Sequence, residues 1–147
     1  MKTFLKVVLG IFAVLLVLFV AIVGIAIVAV NSQTTKTEVT LGDDSIPTLY
    51  TVVGERKVIK TGAGISNGVS YEQLIYDDDV VSNDDISKYI SSLKEDEGFL
   101  VTENKSTLLQ LAKESVDDGK LVLVNIITDG SKVTLEYRKG TGELTIY

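Results

Sequence analysis

Leu121-Val-Leu-Val-Asn-Ile-Ile127, set between Asp117-Asp-Gly119 and Asp129-Gly-Ser131, is the stretch on which the fold turns. A short run of aliphatic and β-branched residues bounded by turn formers reads as a strand. Its near-continuous apolarity places that strand in the middle of a sheet, covered by a helix on at least one face. Asp129-Gly-Ser131 turns it into a further strand over Lys132 to Arg138. On the other side, Leu108 to Val116 fits two patterns: Leu108, Leu109, Leu111 and Ala112 could line a helix, or Leu109, Leu111 and Lys113 could alternate in a strand. The hairpin turn at Asp117-Asp-Gly119 favours the strand. Phe99 to Thr102 adds another.

Upstream lies the clearest helix. Ser82 is placed to cap it, with Asp85 three residues on to complete a capping box and Asp84 in the first turn against the helix dipole. Ile86, Tyr89, Ile90 and Leu93 recur at helical spacing as one apolar stripe, and Gly98 supplies the stop. Before it, Thr48 to Val53 is β-rich, Gly54-Glu-Arg-Lys57 reads as a turn, and Val58 to Thr61 as a second strand. Gly62 to Gly68 reads as a flexible loop in which Asn67-Gly68 suits a type I′ turn. Val69 to Tyr76 then alternates, with Val69, Tyr71 and Ile75 on one face and Leu74 and Tyr76 on the other. The expectation is an α+β domain, one helix packed on a mostly antiparallel sheet, spanning residues 46–147.

What precedes that domain decides where it is expected to live. Val7 to Val30 runs for twenty-four residues without a charge, behind Lys2 and Lys6. A helix of that length is about 36 Å long, enough to cross a hydrocarbon core of about 30 Å. A secretory signal has an apolar region of only about 7–15 residues and a small-x-small cleavage site. Val28-Ala29-Val30 is a poor site, and Gly24-Ile25-Ala26 is a tolerable one that would leave a greasy terminus. An uncleaved anchor is the expectation, and a secreted domain freed by cleavage is the alternative. Cations concentrate before the span, and Lys36, Glu38, Asp43 and Asp44 follow it. The flanks therefore predict a cytoplasmic N-terminus over residues 1–6, a span over 7–30, and everything beyond outside the cytoplasm. Residues 31–45 read as a juxtamembrane linker with room for a weak strand at Glu38 to Leu41; extended, they reach at most about 50 Å.

One side of the span carries Gly10, Val14, Val17, Ala21, Gly24 and Val28, all small or β-branched. Helices in lipid associate through close packing of such residues, so this is a candidate face for self-association or for a membrane partner. The same residues are also simply common in spanning helices.

All twenty acidic residues and twelve of the fourteen basic ones lie after the span, giving that part a formal charge of −8. Nucleic acid and anionic lipid surfaces call for the opposite sign. The absence of His and Cys removes thiol nucleophiles, imidazole bases and the usual zinc, copper and haem ligands, and no disulfide can form. No cofactor or metal is expected.

The remaining motifs have plain readings. Asp77-Asp-Asp79 with Asn83, Asp84 and Asp85 is the densest acidic group, but Val81 and Ser82 stand where a calcium loop needs an oxygen ligand and glycine. An acidic turn leading into a capped helix suffices. Ser91-Ser-Leu-Lys94 and Lys60-Thr-Gly62 have the pattern of penicillin-recognising enzymes in reversed order, without the intervening Ser-x-Asn. Gly62-x-Gly64 has the wrong spacing for a dinucleotide loop, and Asn104-Lys-Ser106 is a glycosylation sequon of consequence only in a eukaryote. Type IV pilins also join an apolar helix to a small outer domain, but Leu15 stands where their pattern has Glu.

Ile46-Pro-Thr, Val52-Val-Gly54, Tyr71 to Tyr76, Asp85-Ile-Ser-Lys-Tyr89, Glu97-Gly-Phe99 and Lys113-Glu-Ser115 before a Gly-containing turn follow one another in that order along most of the outer part. In this it resembles small membrane-tethered or lipoprotein-type outer domains of Gram-positive bacteria. The resemblance implies a compartment and a class, with no activity attached.

Together these features predict a single-pass membrane protein presenting a small acidic binding or accessory domain to another membrane or cell-surface protein. The sheet face away from the helix is the expected contact surface, with Tyr71, Tyr76 and Tyr137 as candidate contributors. Core or cross-strand packing is the competing role for each. A self-associating, pilin-like surface component is an alternative. An enzyme would need carboxylates converging in a cleft, with Asp77, Asp79 and Asp84 as the candidates.

Overall fold

The computed structural model describes residues 33–144. The span at Val7 to Val30, its flanking lysines and the face from Gly10 to Val28 lie outside the described residues. Among the described residues no helix is long and apolar enough to cross a membrane.

The described chain is α+β. A hairpin of β1 (Glu38–Leu41) and β2 (Asp44–Pro47) leads into a short helix α1 (Leu49–Val53). Next come β3 (Val58–Ser66), β4 (Val69–Asp77) and the main helix α2 (Asn83–Glu95). The strands β5 (Leu100–Asn104), β6 (Leu108–Glu114), β7 (Lys120–Thr128) and β8 (Lys132–Thr141) complete it. Six strands form one antiparallel sheet in the order β3-β4-β8-β7-β6-β5. The apolar run from Leu121 is thus a central strand, and Leu108 to Glu114 is a strand, as its hairpin turn favours.

One face of the sheet is sealed. Leu74, Tyr76, Val122, Val124, Ile126, Leu135 and Tyr137 meet Tyr89 and Leu93 of α2, Leu49 of α1, and Val39, Leu41 and Ile46 of the hairpin in a single core. Each large side chain shut into it contributes about 1.5–3 kcal/mol.

Helix α2 starts as the sequence predicts. Ser82 Oγ accepts from the Asp85 N–H at 3.1 Å and the Asp85 carboxylate accepts from the Ser82 N–H at 3.0 Å. That carboxylate also receives Arg56 Nε at 2.9 Å and Nη2 at 2.8 Å, tying the chain before β3 to the helix. The Arg56 guanidinium, helped by the Ser82 N–H, holds Asp85 down at about 2. A depressed carboxylate stabilises the fold above its unfolded pKa of 3.8, and that contribution fades as pH falls toward 2. Asp85→Ala removes the cap partner and the Arg56 acceptor together. It is expected to cost about 2 kcal/mol in urea unfolding at pH 7 and to flatten the acid limb between those two values.

Three expectations are corrected. Thr48 to Val53 is β-rich but folds over Leu49–Val53 as α1. The chain must cross there from the hairpin to β3, and a helical turn puts Leu49 into the core with Val52 and Val53 against it. Tertiary packing overrides β propensity. Gly62 to Gly68 is no long loop: β3 continues to Ser66 and turns tightly at Asn67 (φ 52°) and Gly68 (φ 78°), the type I′ signature.

The folded part also begins earlier than Ile46. Val39 and Leu41, spaced for one side of a strand, are both buried, so much of the expected linker is core. Polar ties fasten the same stretch. Lys139 Nζ, nearly shut off from solvent, is 2.6 Å from Asp44 Oδ2 and 2.7 Å from Asp117 Oδ2, and donates to the Leu41 carbonyl at 3.1 Å. Asp44 in turn accepts from Ser115 Oγ and, at 3.0 Å, from the Val116 N–H. Burial alone would raise Asp44, but these partners outweigh it and hold the carboxylate below its ordinary range.

Candidate functional site

The second face of the sheet is the candidate site, because among the described residues neither the helices nor the β1–β2 hairpin cover it. Antiparallel register lines up its side chains in rows, since directly opposed residues share a face. The middle row is polar. Gln73 faces Glu136, Glu136 faces Asn125, and Asn125 faces Gln110. Gln73 Nε2 donates to Glu136 Oε2 at 2.6 Å and Asn125 Nδ2 to Glu136 Oε1 at 3.0 Å. Gln110 Nε2 donates to Asn125 Oδ1 at 3.0 Å, and Thr102 Oγ1 to Gln110 Oε1 at 3.0 Å. The result is one hydrogen-bonded seam across β4, β8, β7, β6 and β5. Each bond contributes about 1 kcal/mol net, so the seam stiffens the face more than it stabilises the fold.

Mostly apolar rows flank the seam. On one side Tyr71, Arg138, Leu123, Ala112 and Leu100 stand in register, and on the other Ile75, Thr134, Ile127 and Leu108. Most are half-buried, and Leu100 on the edge strand is 41 % exposed. Arg138 Nε forms an ion pair with Glu136 Oε1 at 3.3 Å without a hydrogen bond, which places the guanidinium beside the seam. The Tyr71 ring lies over Gly64 of β3, where a Cβ would meet its hydroxyl at 3.2 Å and its ring at 3.3 Å. A side chain at Gly64 would lift that ring, so the glycine flattens the tyrosine onto the sheet. Where the chain leaves β8, Glu143 and Leu144 come over the same face. With Thr102, Gln110, Ala112, Leu121 and Leu123 they line a cavity of about 280 Å³.

The three candidate tyrosines do not share this surface. Tyr71 is on it. Tyr76 and Tyr137 belong to the sealed face and are correspondingly buried. Their phenols take the core role: Tyr137 Oη is 3.0 Å from Tyr89 Oη, which donates to the Pro47 carbonyl at 2.8 Å. Burial pushes the phenols of Tyr76, Tyr89 and Tyr137 above their ordinary value. Alternation along Val69 to Tyr76 already separates Tyr71 from Tyr76. For Tyr137 the signal was available too, since it shares parity with Val133 and Leu135.

The acidic candidates stay apart from this face. Asp79 and Asp84 are exposed and Asp77 is half-buried, with Asp84 paired to Lys88 one helical turn away at 2.7 Å. Among the described residues no group of three or more potential ligands is placed to hold a metal ion. No family model, curated protein or solved structure matches the chain.

What sequence reasoning missed is the seam. Its one sequence signal is Asn125, the single polar residue in the apolar run from Leu121 to Ile127.

Proposed function

We propose that the chain is a single-pass membrane protein whose small acidic domain faces outside the cytoplasm and binds another membrane or cell-surface protein. The observation that carries the binding role is the sheet face left open among the described residues: a polar seam between two mostly apolar, half-buried rows, in a sheet whose other face is packed against the helices and the hairpin. Mixed polar and aromatic character on a pre-organised surface is the chemistry of protein recognition, where a few anchors such as Tyr and Arg dominate. Tyr71 and Arg138, side by side in register, are those anchors here. The apolar run behind Lys2 and Lys6 supports the anchor and its direction.

A photo-crosslinking residue at Leu123 in the full chain, activated in intact membranes, tests the surface. One discrete adduct is expected, reduced about tenfold or more by Tyr71→Ala with Arg138→Ala, since losing two anchors removes at least about 1.4 kcal/mol. Adduct yield unchanged by the double substitution sinks the assignment. Protease added to sealed cells tests the compartment: digestion of the domain is expected, and full protection places it on the other side.

A further inference from the structure

On the strength of the anchor proposed above, we propose that one end of the sheet lies against the lipid headgroups. That end carries the start of β3, the β4–α2 loop, the β5–β6 turn and the β7–β8 turn.

Little slack separates the apolar run from the fold. The run ends at Val30, and the described chain starts at Gln33, with Gln33 and Thr34 in helical conformation. The residues that follow are fastened. Thr34 Oγ1 accepts from the Val58 N–H at 3.2 Å, and Lys36 pairs with Glu72. The Lys36 carbonyl accepts from the Thr48 hydroxyl, and the Thr37 carbonyl accepts from the Thr48 N–H at 2.9 Å and from Thr51 Oγ1. Only Asn31 and Ser32 are left to act as a tether. Fully extended, the three steps from Val30 to Gln33 span at most about 11 Å.

That tether enters at a definite end of the sheet. Val58 is the first residue of β3 and faces Tyr76; Tyr76 faces Val133, and Val133 faces Thr128. The strand ends nearest the anchor are therefore those joined by the loop after Asp77 and the turn at Asp129 to Ser131. The Asn67-Gly68 and Asp117-to-Gly119 turns lie at the opposite end, a nine-residue strand or about 30 Å away. With so short a tether the near end cannot stand off from the bilayer. Its exposed residues carry both signs, Lys57 and Lys132 beside Asp78, Asp79 and Asp129. A zwitterionic headgroup layer offers both the phosphate and the amine to meet them. Asp78 and Lys132 also line a cavity of about 430 Å³ at this end, with Ser82, Asn83 and Thr128.

The chain has no cysteine, so single labels report cleanly. Lys57→Cys and Asp79→Cys mark the near end, and Ser66→Cys and Asp118→Cys the far end; all four sites are exposed. Each full-length variant is labelled with a fluorophore and reconstituted in phosphatidylcholine–phosphatidylethanolamine vesicles containing headgroup spin-labelled lipid. Strong quenching is expected at 57 and 79 and little at 66 and 118. A linker of about twenty Gly and Ser residues after Ser32, roughly 25 Å in mean reach, is expected to erase the contrast. Equal quenching at all four sites without the linker, or the reverse order, overturns the orientation. Vesicle flotation read in parallel separates the failures: a chain that does not float refutes the anchor as well, whereas one that floats with equal quenching refutes the orientation alone.

Discussion

Lys139→Ala is expected to lower stability by about 3 kcal/mol, measured by urea unfolding of the full chain in detergent at pH 7. The side chain sits on β8 and gathers Asp44, Asp117 and the Leu41 carbonyl, clasping the N-terminal hairpin to the sheet. Removing the ammonium leaves the Asp44 carboxylate, 4 % exposed, without its counter-charge. Breaking a buried pair in this way costs about 3–5 kcal/mol, and the lower end applies because Asp117 opens one side of the cluster to water. Lys139→Met with Asp44→Asn is expected to cost clearly less than the two single changes summed, since neither charge is then stranded.

The pH dependence carries the same sign. Lys139 chiefly, against some burial, holds Asp117 below its ordinary range, and Asp44 is held down likewise. Both therefore stabilise the fold above the ordinary carboxylate range, and that contribution is lost as pH falls below it. Burial works against the Lys139 ammonium, but the two carboxylates raise it, so its share persists through neutral pH and fades only in strong alkali. The wild-type acid limb should be steep and that of Lys139→Ala shallower. Identical limbs in the two proteins would mean the cluster does not couple to folding.

Tyr137→Ala is expected to cost about 4 kcal/mol, whereas Tyr71→Ala should cost less than about 1 kcal/mol and act on partner capture instead. The contrast follows from which side of the sheet each occupies. Tyr137 is 0 % exposed and its loss opens a cavity under α2, while Tyr71 lies on the open face over Gly64. Tyr137→Phe keeps the ring and forfeits one hydroxyl contact, because Tyr89 retains the Pro47 carbonyl; about 1 kcal/mol is expected. Thermal unfolding of the three variants checks the order. A stable Tyr137→Ala that loses its partner would put the binding surface on the other face.

These contrasts also mark what the sequence could convey. Local signals were legible wherever a residue interacts with its own neighbourhood: the Ser82–Asp85 box, the stripe from Ile86 to Leu93, the Asn67-Gly68 turn, and the alternation that divides Tyr71 from Tyr76. What depended on distant partners was not. Glu38 to Leu41 reads as a weak strand and is one, but that its Val39 and Leu41 belong to the core shows only once a sheet lies beneath them. Thr48 to Val53 has the composition of a strand but no neighbour to pair with. The seam through Gln73, Glu136, Asn125 and Gln110 exists only once four strands are in register.

The strand order has a consequence for the timing of folding. Residue by residue, β8 is the last described strand to leave the ribosome, yet it lies between β4 and β7 in the middle of the sheet. Until it arrives, β3 and β4 can pair as one hairpin and β5, β6 and β7 as a separate meander, with no hydrogen bonds between the two. Tyr76 must wait for Val133, fifty-seven positions downstream, before its strand gains a second neighbour. Closing so distant a contact is slow, and meanwhile β4 and β7 each offer a bare edge to any other chain nearby. Completion of the sheet is thus held back to the final strand, which closes both edges in a single step.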